Sequence, residues 1–140
     1  MIVNIKKTHK NAVIPAYAKD GDAGMDLTVV DFEILDSKNV KYDFGLAFEI
    51  PKGYVGFIFP RSSCYKQNQM LSNSVGVIDS GYRGNVSAVM TGKGKECRYA
   101  IGERAAQIII MPYPSIKFNE VQEISETERG STGYGSTGKK

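Results

Sequence analysis

Tyr54-Val55-Gly56-Phe57-Ile58-Phe59-Pro60-Arg61-Ser62-Ser63 is the stretch on which the reading of this chain turns. Val55, Phe57 and Phe59 alternate with Tyr54, Gly56 and Ile58, the two-residue period of a β-strand, and apolar groups on both parities mean that both faces are partly buried. Arg61-Ser62-Ser63 then opens Ser62–Met70, the one segment that reads as a short helix. Outward from here the strand pattern repeats. Ile2–Lys6, Leu27–Leu35, Val40–Glu49, Gly84–Thr91, Glu96–Ile101, Gln107–Met111 and Ile116–Val121 are short apolar or alternating runs separated by turn residues. Pro51-Lys52-Gly53 and Lys93-Gly94-Lys95 read as turns between strands. Many short strands with regular turn signals predict an all-β sandwich or barrel.

A chain of 140 residues is most simply one domain, and 41% hydrophobic with 24% charged residues is ordinary for a globular protein. The net charge is +3 and scattered, with Lys6, Lys7 and Lys10 the nearest thing to a cluster. Domains that bind duplex nucleic acid usually carry a basic stripe, so no direct nucleic-acid binding is expected, while a small anion remains open. Cys64 and Cys97 form no C-x-x-C pair and read as reduced thiols. His9 is the only histidine, which excludes a His-rich metal site. No run is long enough to span a membrane, and the N-terminus lacks an apolar signal region. A soluble, cytoplasmic protein with no membrane partner is expected.

The C-terminal stretch Arg129-Gly130-Ser131-Thr132-Gly133-Tyr134-Gly135-Ser136-Thr137-Gly138 departs from the rest in composition. Tyr134 is its one large apolar group, so the segment cannot bury enough surface to offset the roughly 1–2 kcal/mol per residue that ordering its backbone costs. An arginine, paired hydroxyls and unhindered glycine N–H groups suit phosphate oxygens, and a tyrosine ring suits a nucleobase. The G-x-G-x-x-G match at residues 133–138 is set aside, because that motif needs a strand before it and a helix after it. Elsewhere, Gly76-Val77-Ile78-Asp79-Ser80-Gly81-Tyr82-Arg83-Gly84-Asn85 reads as a β-hairpin with one carboxylate and one aromatic at its tip. Ser62 and Ser63 stand where they would cap a helix or offer hydroxyls and N–H groups to a phosphate beside Arg61. Asp22-Ala23-Gly24-Met25-Asp26-Leu27 leads into a strand through a tight turn at Gly24, and Arg104-Ala105-Ala106-Gln107 opens another strand.

Together and in this order, these segments resemble the motifs of the trimeric deoxyuridine triphosphate nucleotidohydrolases (dUTPases). The matching stretches are Ala23 to Leu27, Pro60 to Ser63, Gly76 through Asn85, Arg104 to Gln107 and Arg129 through Gly138, spanning nearly the whole chain. The resemblance implies a distorted jelly-roll-like β-barrel over residues 1–124. It also implies a glycine- and serine-rich arm over residues 125–140 that closes the active site. Finally, it implies a homotrimer with sites at subunit interfaces and hydrolysis of dUTP to dUMP and pyrophosphate with Mg2+ as cofactor.

Residue by residue, the resemblance makes Asp79 the group that holds and activates the attacking water. Arg61, Ser62, Ser63 and Gln107 match the phosphate contacts, and Asp26 matches a carboxylate near the metal that acts through water. Arg104 matches a residue that supports Asp26. Tyr82 matches the ring under the deoxyribose. Backbone groups of Gly76, Val77, Ile78 and Ser87, with the Asn73 side chain, would read the uracil edge. Arg129, Ser136 and Thr137 match γ-phosphate contacts, and Tyr134 with Gly135 would cover the base. Tyrosine at 134 stands where phenylalanine is usual, Cys64-Tyr65 and Gly81 depart from the common residues, and Ala105-Ala106 is smaller than usual, which predicts looser packing there. A related deoxycytidine triphosphate deaminase would need a glutamate where Ala88, Val89 and Met90 stand. A purely regulatory binding module would not need Asp79, Tyr82 and the tail together.

Overall fold

In a computed structural model, the structure describes residues 1–92 and 98–133. Ten strands follow in chain order: β1 Asn4–Lys7, β2 Met25–Thr28, β3 Asp31–Ile34, β4 Asn39–Asp43, β5 Leu46–Glu49, β6 Tyr54–Pro60, β7 Gln69–Leu71, β8 Gly76–Ile78, β9 Ser87–Gly92 and β10 Arg104–Pro112. One four-stranded sheet has the order β2-β10-β6-β8, a second has the order β3-β4-β9-β7, and β1 pairs with β5 as a ribbon. All these pairings are antiparallel. The all-β jelly-roll reading holds. The sheets do not close on themselves into a true barrel, since each sheet ends in strands paired on one side only.

Alternation builds the core. Along β4 the pattern is half-buried, buried, half-buried, buried, half-buried, with Val40 and Tyr42 inward. Leu27, Tyr42, Phe44, Leu46, Ile50, Ile58, Met90 and Ile108 are each at most 2% exposed and form one cluster with residues of both larger sheets. Burying each such side chain contributes about 1.5–3 kcal/mol. At two points where consecutive residues between strands are both buried, the chain changes sheet. Val29 and Val30 (1% and 4% exposed) break the run Leu27–Leu35 into β2 and β3, which lie in different sheets. Phe44 and Gly45 break Val40–Glu49 in the same way. Gly45 bends there at φ +64°, and a Cβ on it would sit 2.7 Å from that of His9.

Other expectations are corrected. The segment after Arg61 is a six-residue 3₁₀ helix, Ser62–Gln67, ended by Asn68 at φ 50°, and no side-chain oxygen caps it. Gln69–Leu71 is strand, not helix. Residues 98–101 of the expected strand Glu96–Ile101 join no strand. Tyr99 N–H donates to the Tyr42 hydroxyl at 3.2 Å, and the chain turns at Gly102 with φ +91°. Residues 116–121 form no strand, because no described strand pairs with them. The hairpin expected around Asp79 is instead a crossing between sheets, since β8 pairs with β6 while β9 pairs with β4 and β7. Ala105 and Ala106 are fully buried members of the core, not a loosened spot. The turn at Pro51-Lys52-Gly53 is present, with Gly53 at φ +83°. The expected turn at residues 93–95 lies outside the described residues.

Candidate active site

Asp26 and Gln107 are direct cross-strand partners on β2 and β10, so their side chains share one face of the sheet. A residue three positions before Gln107 would ordinarily point to the opposite face. A β-bulge between Arg104 and Ala106 supplies one extra residue, so Arg104 pairs with Thr28 and returns to the face of Asp26. The two small alanines lie where the bulge turns inward. Arg104 Nη1 then lies 3.1 Å from one Asp26 oxygen, and Arg61 Nε donates to the other at 2.7 Å. Arg61 also donates to the Arg104 carbonyl at 3.2 Å and, at 3.5 Å, to the Ser63 hydroxyl. Gln107 donates to the Pro60 carbonyl at 3.0 Å. Gly24 has no turn-specific φ. Its role is clearance, because a Cβ there would stand 2.3 Å from Gln107 Oε1. Two cavities flank this cluster. One, of about 300 Å3, is lined by Gly24, Asp26 and Gln107 among others, and one of about 370 Å3 is lined by Arg61, Ser63, Lys66 and Arg104 among others.

On the other flank of β6, the residues after β8 form a tight loop. Tyr82 N–H donates to the Asp79 carbonyl at 3.0 Å. Arg83 Nη1 donates to the Ser80 carbonyl at 2.7 Å and the Tyr82 carbonyl at 3.0 Å, which holds the loop from inside. Asp79 is exposed, and Tyr82 is 45% exposed with its ring folded over Gly84, where a Cβ would fall 2.4 Å from the tyrosine oxygen. A cavity of about 240 Å3 is lined by the apolar Ile58, Leu71, Ala88 and Val89 together with Ser72, Asn73, Gly76 and Ser87, the last two on the strands that this loop joins. Ile78 packs against the core, while Val77 is 58% exposed.

Within the chain these two parts stay separate. Asp26 faces Gln107, Gln107 faces Phe59, and the β6–β8 register continued past Ile78 puts Asp79 level with Val55. At about 4.8 Å per strand and 3.4 Å per residue, strand geometry puts Asp79 and Asp26 about 14 Å apart across the sheet and about 14 Å apart along it.

The dUTPase family model matches residues 10–138. The chain belongs to the dUTPase family. The deoxyuridine 5'-triphosphate nucleotidohydrolase of Alkaliphilus metalliredigens is 37% identical over 99% of this chain and 98% of its own. That of Escherichia phage T5 is 37% identical over 99% of this chain and 100% of its own. Among solved structures, a mutant Staphylococcus bacteriophage 80alpha dUTPase with dUpNHpp aligns at TM-score 0.84 and 26% identity, covering 98% of both chains. A mutant dUTPase from phage phi11 of S. aureus, described as coordinating a structural Mg(II) ion, aligns at TM-score 0.75 and 21% identity over 90% of this chain and 100% of its own.

Within this dUTPase-family chain the described motif residues fall into two groups. Asp26, Arg61, Ser63, Arg104 and Gln107 meet at one sheet edge, while Asn73, Gly76 and Ser87 line a separate cavity. Ser62 is exposed at the start of the 3₁₀ helix, and Arg129 is exposed on the C-terminal segment. Tyr134, Gly135, Ser136 and Thr137 lie outside the described residues. Among the described residues no three His, Cys, Asp or Glu side chains converge as a metal cluster. Asp26 has both oxygens turned to arginines, which suits a hydrated Mg2+ carried mainly by a ligand's phosphates and touched through water. The bulge at Ala105 is what the sequence reading missed, and the Ala-Ala pair between Arg104 and Gln107 was its one visible trace.

Proposed function

We propose that this chain hydrolyses dUTP to dUMP and pyrophosphate, limiting uracil incorporation into DNA and supplying dUMP for thymidylate synthesis. The observation that carries the proposal is a chain of this family with a cationic cluster around Asp26, a base-sized cavity reached by Gly76 of β8 and Ser87 of β9, and an exposed aspartate and tyrosine on the loop joining those two strands. Uracil occupies the cavity rimmed by Asn73, Gly76 and Ser87 and is read by backbone groups of Val77 and Ile78. A site matched to uracil's donors and acceptors leaves polar groups unpaired against cytosine, which rejects it strongly. Tyr82 lies under the deoxyribose and leaves no room for a 2′-hydroxyl.

In the reaction Asp79 accepts a proton from a water whose oxygen attacks the α-phosphorus, and the bond to the bridging oxygen breaks to release pyrophosphate. Orienting that water in line contributes as much as taking its proton. Arg61, Ser62, Ser63 and Gln107 bind phosphate oxygens, and Arg104 holds Asp26 in place. Asp26 would hold a Mg2+ through water, and the metal would supply charge neutralisation at the leaving group. Arg129, Tyr134, Gly135, Ser136 and Thr137 close over the nucleotide from the arm of residues 125–140.

The working unit is a homotrimer whose sites take the Asp26 cluster and the Asp79 loop from different protomers. Three observations favour this. The two parts lie far apart in one protomer by strand geometry. Beyond the Asp26 cluster, the outer face of the β2-β10-β6-β8 sheet carries an apolar patch of Phe57, Phe59, Val77, Ile109 and Met111. Residues 113–133 are exposed throughout, with Phe118 96% and Ile124 85% exposed. A panel of dUTP, dTTP, dCTP and UTP, each with Mg2+ and with chelator, tests the activity. Pyrophosphate release from dUTP alone, lost with chelator, is expected; ammonia from dCTP or no turnover at all refutes it.

A further inference from the structure

The Tyr82 ring is held from one side by a small polar network that the motif reading does not use. Its hydroxyl donates to the Asn85 backbone carbonyl at 3.1 Å. The Asn85 side chain is itself clamped at both ends. Its Oδ1 accepts from the Thr8 hydroxyl at 2.7 Å, and its Nδ2 donates to the Asp43 carboxylate. Neither anchor is loose. Thr8 N–H donates to the Gly45 carbonyl at 2.8 Å, and the other Asp43 oxygen accepts from Gly45 N–H at 2.6 Å. The next residue, Val86, is buried at 1% exposure and its N–H donates to Leu46 at 2.8 Å. The carbonyl that receives the tyrosine is therefore fixed to the β4–β5 bend and to the end of β1, elements outside the loop.

We propose that Asn85 is a positioning residue for sugar discrimination: it fixes the carbonyl that sets the height of the Tyr82 ring, and so the space beneath the ribose. This rests on the reading of Tyr82 given above. The physical argument is one of stiffness. A half-exposed aromatic ring on a loop excludes one hydroxyl only if it cannot retreat by that hydroxyl's width, and sub-ångström placement of such a site needs supporting hydrogen bonds behind it. Gly84 allows the ring to lie on the backbone, and Asn85 holds it there.

The test compares kcat/KM for dUTP and UTP in wild type, Asn85→Ala, Thr8→Val and the paired exchange Asp43→Asn with Asn85→Asp. Asn85→Ala removes both clamps and should lower the dUTP-to-UTP ratio about tenfold, mainly through KM, with kcat on dUTP within about threefold. Thr8→Val removes one clamp from outside the loop and should lower the ratio about threefold, so the idea stays testable if the alanine variant does not fold. In the paired exchange the amide at 43 donates to the carboxylate at 85, which still accepts from Thr8. That variant should recover the wild-type ratio, whereas Asn85→Asp alone faces two carboxylates together and should not. A dUTP-to-UTP ratio unchanged in folded Asn85→Ala or Thr8→Val overturns the assignment. Wild-type protein that neither turns over dUTP nor prefers dUpNHpp to its ribo counterpart overturns the substrate reading itself, and this inference with it.

Discussion

At the scale of single residues the chemistry divides between groups whose surroundings are visible in one protomer and groups left open to solvent. Asp79 is exposed, as a residue awaiting substrate would be. Replacing it by Asn keeps its size and its ability to accept a hydrogen bond while removing its basicity. Asp79→Asn should bind dUpNHpp with near wild-type affinity, measured by calorimetry, and lose roughly 100-fold or more of its dUTP turnover. Tyr99 is the opposite case. It is 4% exposed, stacks edge-on against Tyr42 with ring centroids 5.7 Å apart, and its hydroxyl has no partner among the described residues. A buried unpaired hydroxyl costs about 1–3 kcal/mol, so Tyr99→Phe should raise the melting temperature. Burial, ahead of the charge of nearby Cys64, pushes the Tyr99 phenol above its ordinary value of 10.0. The unfolded chain therefore ionises first. Stability falls as pH rises above that value, and Tyr99→Phe should lack this share of the alkaline loss in a pH series of thermal melts.

At the scale of elements, one bulge decides the cationic cluster. Without the extra residue at Ala105, Arg104 would point into the core and Asp26 would keep Arg61 alone. The motif residues Arg104 and Gln107 were visible in the sequence, and so was the strand they begin. That they share a face with Asp26 was not, because a two-residue period puts positions 104 and 107 on opposite faces until the register is known. Gly24 shows the same limit. Read as a turn, it proves to be clearance for Gln107. Gly24→Ala should therefore leave stability within about 1 kcal/mol, since the atom it meets is the far end of a movable side chain. Displaced Gln107 should nonetheless lower dUTP turnover, so equal melting temperature with reduced kcat is the expected result in paired melting and kinetic assays. Unchanged kcat would separate Gln107 from the reaction.

At the scale of the whole molecule the protomer is a core with an exposed apolar arm. Residues 113–133 contribute nothing to the buried cluster, yet carry Ile116, Phe118, Val121 and Ile124 at 53–96% exposure. Such a run fits the subunit contact proposed above. Removing residues 129–140 should leave a trimer by light scattering, with kcat/KM for dUTP reduced at least tenfold, because the core does not use that segment. Removing residues 113–140 should also abolish the trimer. If the longer truncation remains trimeric, the arm is not what joins the protomers.

The sequence by itself determined the strand-rich class, the turn at Gly53 and the order of the motif residues, because alternation, turn chemistry and residue identity are local properties. It could not determine where strands change sheet at Val29-Val30 and Phe44-Gly45, or that residues 116–121 find no partner strand within the described protomer. Nor could it show that the Asp26 cluster and the Asp79 loop lie on opposite flanks of β6. Those depend on which strands pair and in what register. Pairing is fixed by which face of each strand the common core buries, a property of the packed molecule that no single segment carries.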